Sequence, residues 1–240
     1  MISLRQSLLR FFLPWACAGC RGALASPEDP GFCGQCWLAI PRIQGIICQE
    51  CGIPLKNGGN VCYTCRQSRP PLLIRAATEY RSVVPPAIHR FKYAGRRTLV
   101  QSFGALLRYA WDHFPELHDI QGIIPVPLYP KNERIRGFNQ AELLARHFAA
   151  DIGRPMLPLL LRTRKTLSQI ELNRSERRDN VRSAFALQAL TEDKREILRG
   201  RSFLLMDDVC TTASTLGECA KVLYGAGIRT VKSLVLARDL

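Results

Sequence analysis

The chain has 240 residues, of which 47% are hydrophobic and 22% charged, so it can fold as a medium globular domain with a smaller companion and is neither a low-complexity nor a disordered chain. A formal net charge of +14 calls for an anionic partner, a phosphorylated metabolite or a nucleic acid. No apolar run approaches the ~20 residues needed to cross a bilayer, so no membrane span is predicted.

The first stretch, MISLRQSLLRFFLPWACAGC, is basic and apolar, but its uninterrupted apolar run is short and no small-residue cleavage site precedes the cysteines. It predicts a short helix packed on the fold rather than a signal peptide, and a cytoplasmic chain. Eight of the 10 cysteines follow as four CxxC pairs: Cys17/Cys20, Cys33/Cys36, Cys48/Cys51 and Cys62/Cys65. Each pair offers two thiolates to one metal from a tight knuckle, and two knuckles complete a tetrahedral zinc shell. The intervening gaps of 12, 11 and 10 residues suit two consecutive ribbons, hence about two structural Zn²⁺, with sequential and interleaved pairing of the knuckles both open. Four disulfides would need an export signal that the sequence lacks. Two such metal sites bring the net charge to about +10 and leave the excess basicity mainly outside the ribbons. Residues 1–70 are expected to form this double zinc ribbon with its N-terminal helix, folded largely by its metals, with QSRPP as the linker to a second domain at 71–240.

From there strands and helices alternate. RAATEYRS predicts a strand, PPAIHRFKYAG and RRTLVQSFGALLRYAWDHF two helices, and the second helix has Leu99, Phe103, Leu106 or Leu107, and Ala110 on one face. GIIPVPL reads as a short buried strand, GFNQAELLARHFAADIG as a helix closed by Gly153, and MLPLLLRTR as the next strand. Residues 163–182 are polar, basic and aperiodic, a long loop of the kind that serves function. RSFLLM, STLGECAKVLYGAG and TVKSLVLAR then read as strand, helix and strand. The alternation predicts an α/β domain with a mainly parallel sheet flanked by helices.

The stretch MDDVCTTAST is where this pattern points to chemistry. Ligands of parallel α/β sheets gather beyond the carboxyl ends of the strands, and a helix N-terminus there attracts anions. Two carboxylates, Asp207 and Asp208, beside a hydroxyl-rich anion cradle suit a phosphorylated sugar, whose hydroxyls or accompanying divalent metal engage the acids. A receiver domain also places paired acids after an apolar strand, but too few residues follow Asp207 for its distal lysine.

FLLMDDVCTTAST resembles the signature of the type I phosphoribosyltransferases, with Ala213 where glycine is commoner. The four CxxC pairs, IHRFKYAGRRTL, IPVPLYPKNERIRGFNQAELLA, TLSQIELNRSERRDNVRSAF and this motif occur in the order found in the ComF/GntX family, and the chain is identified as a member of it. The resemblance implies a type I phosphoribosyltransferase fold preceded by a small double zinc ribbon, and a link to competence and DNA utilisation. It implies that phosphoribosyl diphosphate (PRPP) binds with Mg²⁺, its ribose hydroxyls at Asp207 and Asp208. Its 5′-phosphate is then expected at Thr211, Thr212, Ala213, Ser214 and Thr215. The diphosphate is expected at the backbone of Val126, Pro127 and Leu128, with Arg134 and Arg136 close by, under a lid carrying Arg164, Lys165, Gln169, Arg174, Arg177 and Arg178. Two functions are then open. One is a phosphoribosyl transfer; the other is a non-catalytic accessory that handles single-stranded DNA, with DNA-uptake proteins as partners and PRPP as regulator or relic. His89 is divided between core and ligand, Asn139 and Gln140 are read as helix starters, and Cys210 and Cys219 as packed thiols.

Overall fold

The computed structural model describes residues 16–24, 31–68, 70–164, 181 and 183–240. The expected N-terminal helix and most of the expected lid, including Lys165, Gln169, Arg174, Arg177 and Arg178, lie outside these residues.

A four-stranded parallel sheet forms the centre, with β1 (Leu73–Glu79), β2 (Ile123–Pro125), β5 (Ser202–Cys210) and β6 (Thr230–Arg238) in the order β1-β6-β5-β2. The middle strands carry the runs Phe203–Met206 and Leu234–Ala237, all buried, as strands covered on both faces require. The covering helices are α3 (Val84–Tyr93), α4 (Leu99–His113), α6 (Gln140–Ile152) and α8 (Ser214–Gly225). In α4 the predicted face is buried in full, Leu106 and Leu107 both included. Its Gly104 lets α6 come close, since a Cβ there would lie 2.2 Å from the His147 ring. Helix α6 begins at Asn139, whose side chain accepts from the Ala141 N–H, and ends at Gly153 in the left-handed region (φ 64°).

Several elements depart from the sequence reading. Of MLPLLLRTR only β3 (Leu160–Arg162) is a strand, and it leaves the main sheet to pair antiparallel with β4 (Phe185–Leu187). Pro155 and Pro158 precede it and cannot donate to a central ladder. Strand β5 runs on through Cys210, so Asp207 and Asp208 lie within the strand rather than after it. The short helices α5 (Pro130–Arg136) and α7 (Glu192–Leu198) were not expected; α5 buries no residue and so leaves no apolar period to read.

The cysteine-rich segment holds two short helices, α1 (Gly34–Leu38) and α2 (Tyr63–Gln67). Its two halves pack differently. Cys17, Cys36, Phe32, Ile40 and Ile43 belong to the main core with Ile74, Val84 and Phe103. Arg90 and Arg96 reach over from α3 and the following turn to donate to the carbonyls of Ala18 and Ala16. Cys48, Cys51, Cys62 and Cys65 form a separate small cluster with Ile53, Leu55 and Val61. This cluster docks on β1 through the Ile74 N–H, which donates to the Glu50 carbonyl at 2.9 Å. Among the described residues no helix is long and apolar enough to cross a membrane.

Candidate functional site

The eight ribbon cysteines come together as Cys17/Cys20/Cys33/Cys36 and Cys48/Cys51/Cys62/Cys65, with the sulfurs of each set within 4.8 Å of one another, so the knuckles pair sequentially. Backbone N–H groups point at the sulfurs: Cys33 donates to Cys17 Sγ at 3.3 Å, and Cys62 to Cys48 Sγ at 3.4 Å. Burial works against the Cys17 and Cys48 thiolates, yet backbone N–H donors, Cys33 first at Cys17 and Cys51 then Cys62 at Cys48, bring their pKa values to about 6 and about 7. Burial, and then the neighbouring sulfurs, push Cys36 up to about 12. Four thiols this close cannot all ionise without a cation among them, and a divalent metal removes that conflict. Two four-cysteine sites of this kind are compatible with two structural zinc ions, each tetrahedral and closed to further ligands.

The acid pair sits near the end of β5. Asp207 is 9% exposed and Asp208 3%. Burial, and then the charge of Asp208, push the Asp207 carboxyl up to about 8, while the Asp208 N–H, donating to Asp207 Oδ1 at 2.8 Å, and the charge of Lys92 oppose this. Lys92, from α3, lies 2.5 Å from Asp208 Oδ2. Burial alone would lower the Lys92 pKa, but the Asp208 charge raises it. Arg136 is held by the Tyr93 ring, 4.9 Å from its centroid, and by the Gln140 side chain, near enough for Lys92 to feel its charge. On another side Arg162, at the end of β3, lies over Phe185, where burial lowers its pKa and the Asp207 charge opposes the shift.

After β5 the chain turns through Thr211, Thr212 and Ala213 into α8. Ala213 takes the left-handed conformation (φ 62°, ψ 5°) at the N-cap, the position where the related signature carries glycine. The Thr212 and Ser214 hydroxyls are 2.8 Å apart. A small nook of ≈ 10 Å³ joins Asp207 to this turn and to Thr215. Helix α8 has 12 residues, and Ser214, Thr215 and Leu216 of its first turn line that nook.

The PVPLY segment is narrower in its possibilities than its sequence suggested. The Val126 N–H donates to the Met206 carbonyl at 2.9 Å, as part of the sheet, and Pro127 has no N–H. Of the three expected backbone donors only Leu128 remains, with Tyr129 beyond it. Asn139 Nδ2 donates to the Val126 carbonyl at 3.0 Å, so this side chain ties the segment to α6. Arg134 and Arg164 are exposed, and His89 is exposed and packed beside Tyr93 rather than in the core. Cys210 and Cys219 are buried thiols whose pKa burial raises.

Over 234 residues the chain is 32% identical to the DNA utilization protein YhgH of Escherichia coli O6:H1, with 95% of this chain and 99% of that protein covered. The chain belongs to that family of competence and DNA-utilization proteins. Other members are competence protein F of Haemophilus influenzae, 31% identical with 95% of this chain and 98% of that protein covered, and competence protein ComFC of Bacillus subtilis, at 27%, 88% and 85%. The double zinc ribbon domain matches residues 8–66. Among solved structures the chain is similar to Leishmania donovani UMP synthase at 16% identity and a TM-score of 0.32, over 59% of this chain and 24% of that one. It is also similar to an allosteric regulatory enzyme of purine biosynthesis at 16% identity and 0.38, over 61% and 29%, so it spans under a third of either.

In this member of the ComF family sequence reasoning missed the role of Lys92, which was visible only as one base in IHRFKYAGRRTL. The one available signal was its place in a motif that accompanies the acid pair. Arg162 gave no signal at all, since it reads as the basic end of an apolar strand.

Proposed function

We propose that this protein binds PRPP with Mg²⁺ and is a phosphoribosyltransferase-like member of the ComF family acting in DNA uptake or utilisation. The observation that carries the reading is the buried pair Asp207 and Asp208, set within a strand that ends directly in a hydroxyl-lined helix N-terminus. Two adjacent carboxylates in so little water need a cation or hydroxyl donors, and a ribose accompanied by Mg²⁺ offers both. Mg²⁺, when bound, would supply the charge that lets both acids ionise and would screen the diphosphate. Asp207 and Asp208 receive the vicinal ribose hydroxyls. Thr211, Thr212, Ser214, Thr215 and the Ala213 N–H hold the 5′-phosphate at the positive end of α8. Leu128 and Tyr129 donate backbone N–H groups to the diphosphate, whose charge Arg134, Arg136 and the basic residues from Arg164 onward neutralise. When the C1–O bond breaks, the diphosphate leaves with its electron pair and an acceptor nucleophile bonds to C1. The chain supplies no nucleophile of its own; it positions the reactants and stabilises charge. Residues 1–70 serve as the ribbon module and 71–240 as the transferase-type domain, in a reducing cytoplasm that keeps eight thiols available for metal.

Calorimetric titration of PRPP with Mg²⁺ into the wild type and the Asp207→Asn/Asp208→Asn chain tests this. Saturable binding by the wild type and a loss of about 2–4 kcal/mol in the variant are expected, since charge-assisted hydrogen bonds become neutral ones. Equal binding by the two would remove the site assignment, and the transferase reading with it.

The names of the relatives and the net charge of +14 favour single-stranded DNA as a further partner. Binding through phosphates must weaken steeply with salt. An affinity that is flat between low and moderate salt sets this partner aside without touching PRPP.

A further inference from the structure

Arg238, the last residue of β6, is 7% exposed. One guanidinium nitrogen donates to Cys210 Sγ, and Cys210 is also its register partner across the sheet. The neighbouring Asp239 N–H donates to the Cys210 carbonyl at 3.0 Å, so the ends of β5 and β6 are joined twice. Among the described residues the Arg238 Nε meets no acceptor and no carboxylate forms an ion pair with the side chain. A guanidinium does not give up its proton in a protein, so once out of water it needs a counter-charge.

The same residue lines a cavity of ≈ 490 Å³ whose other walls include Cys51, Cys62 and Cys65, three of the four residues of the second cysteine site, and Thr212 and Ser214. A divalent metal bound by four thiolates has a net charge of about −2, a larger anion than any single carboxylate. Beside the first site, Arg90 and Arg96 donate to the backbone carbonyls of Ala18 and Ala16.

We propose that Arg238 is the counter-charge of the second zinc–tetrathiolate and, through Cys210, a positioning residue that fastens the 211–215 loop to that metal. With the zinc bound, the guanidinium is held between the thiolate cluster and the Cys210 sulfur. Without it, the guanidinium has no anion on the ribbon side and turns to solvent, and the end of β5 loses the contact that fixes its loop. Zinc occupancy at the ribbon thus sets the order of a loop on another element. The inference rests on the zinc assignment and not on PRPP binding.

The test uses the full, zinc-loaded chain and two readouts: zinc release to a chromogenic chelator, and hydrogen exchange of the amides at 210–215. In Arg238→Met one of the two zincs should leave at least tenfold faster than in the wild type while the other keeps its rate, and Arg238→Lys should restore most of the difference. Removing the second metal by Cys62→Ser should lower loop protection at least tenfold in the wild-type background and add little in Arg238→Met. Wild-type zinc release from Arg238→Met would overturn the proposal, as would loop protection indifferent to Cys62→Ser. Should Arg238→Met fail to fold, Arg238→Lys and Cys62→Ser decide alone. If inorganic phosphate restores loop protection in the Cys62→Ser chain but not in its Arg238→Lys derivative, the counter-charge is an anion in the cavity and the zinc role is wrong. Failure of PRPP binding would leave both readouts standing.

Discussion

Lys92 Nζ lies 2.5 Å from Asp208 Oδ2, so a helix that the sequence sets more than a hundred residues upstream supplies the cation that makes the buried acid pair tolerable. Lys92 offsets one acid charge and does not meet the need of the second, since the Asp207 carboxyl still stands at about 8 with Lys92 in place. Replacing it by Met leaves two carboxylates with one proton between them and no close ammonium. Breaking a buried pair from one side costs about 3–5 kcal/mol, with the lower end expected because Lys92 is partly exposed. Millimolar Mg²⁺ should raise the melting temperature of Lys92→Met more than that of the wild type. A variant as stable as the wild type, and indifferent to Mg²⁺, would show that the pair carries no weight.

Asp207 makes stability depend on pH in a direction opposite to that of an ordinary salt-bridged acid. Its folded pKa of about 8 stands above the unfolded value. Between roughly pH 4 and 8 the folded chain therefore holds a proton that the unfolded chain has released. The stabilisation is complete below the unfolded pKa and is lost as pH rises towards 8, at up to about 1.4 kcal/mol per pH unit. Asp207→Asn should flatten this slope, so that the variant is the more stable chain at pH 8 and gains nothing at pH 4. Denaturant unfolding of both proteins across that range measures it; parallel curves would mean that Asp207 ionises normally.

The two metal sites should differ in what their loss does. Cys36 shares the main core with Phe32, Val84 and Phe103, whereas Cys65 belongs to a cluster of its own. Cys36→Ser should remove one zinc and lower global stability by several kcal/mol, because core residues lose their support. Cys65→Ser should remove one zinc and leave the main unfolding transition within about 1 kcal/mol of the wild type. Metal analysis with thermal unfolding separates the two; equal losses would mean that both ribbons are continuous with the core.

Ala213 pays a conformational cost in its left-handed position at φ 62°. An L-residue there costs about 1–2 kcal/mol, against about 0.5–1 kcal/mol of extra entropy for glycine. Ala213→Gly is expected to hold or raise stability by up to about 1 kcal/mol, and Ala213→Val to lower it by more than that, because a β-branched side chain fits the region worse. Thermal unfolding of the three chains decides, and a valine variant as stable as the wild type would mean that the loop does not hold this conformation in solution.

Much of this protein was written locally. The four CxxC pairs name a tetrathiolate metal by ligand type and spacing, because a knuckle is built from consecutive residues. The period of α4 exposed its buried face in advance, and the alternation of apolar strands with amphipathic helices gave a parallel sheet. The acid pair and the hydroxyl turn were also legible, since a strand end running into a helix start is a continuous stretch of chain. The sequence misplaced only their boundary, because an apolar period ends at Met206 while the backbone ladder continues to Cys210.

What the tertiary structure decided were relations between distant segments. Sequential pairing of the knuckles depends on which turns fold back on each other, and the spacing allowed either. The ribbon reads as a module of its own, yet Cys17 and Cys36 lie in the main core because β1, α3 and α4 cover that half. The Val126 N–H lost its availability to the β2–β5 ladder. Lys92 meets Asp208, and Arg238 meets Cys210, only once the sheet order is set. A charged side chain at the end of an apolar run reads as a solvated terminus, and its true partner is fixed by packing at long range, which no local pattern encodes.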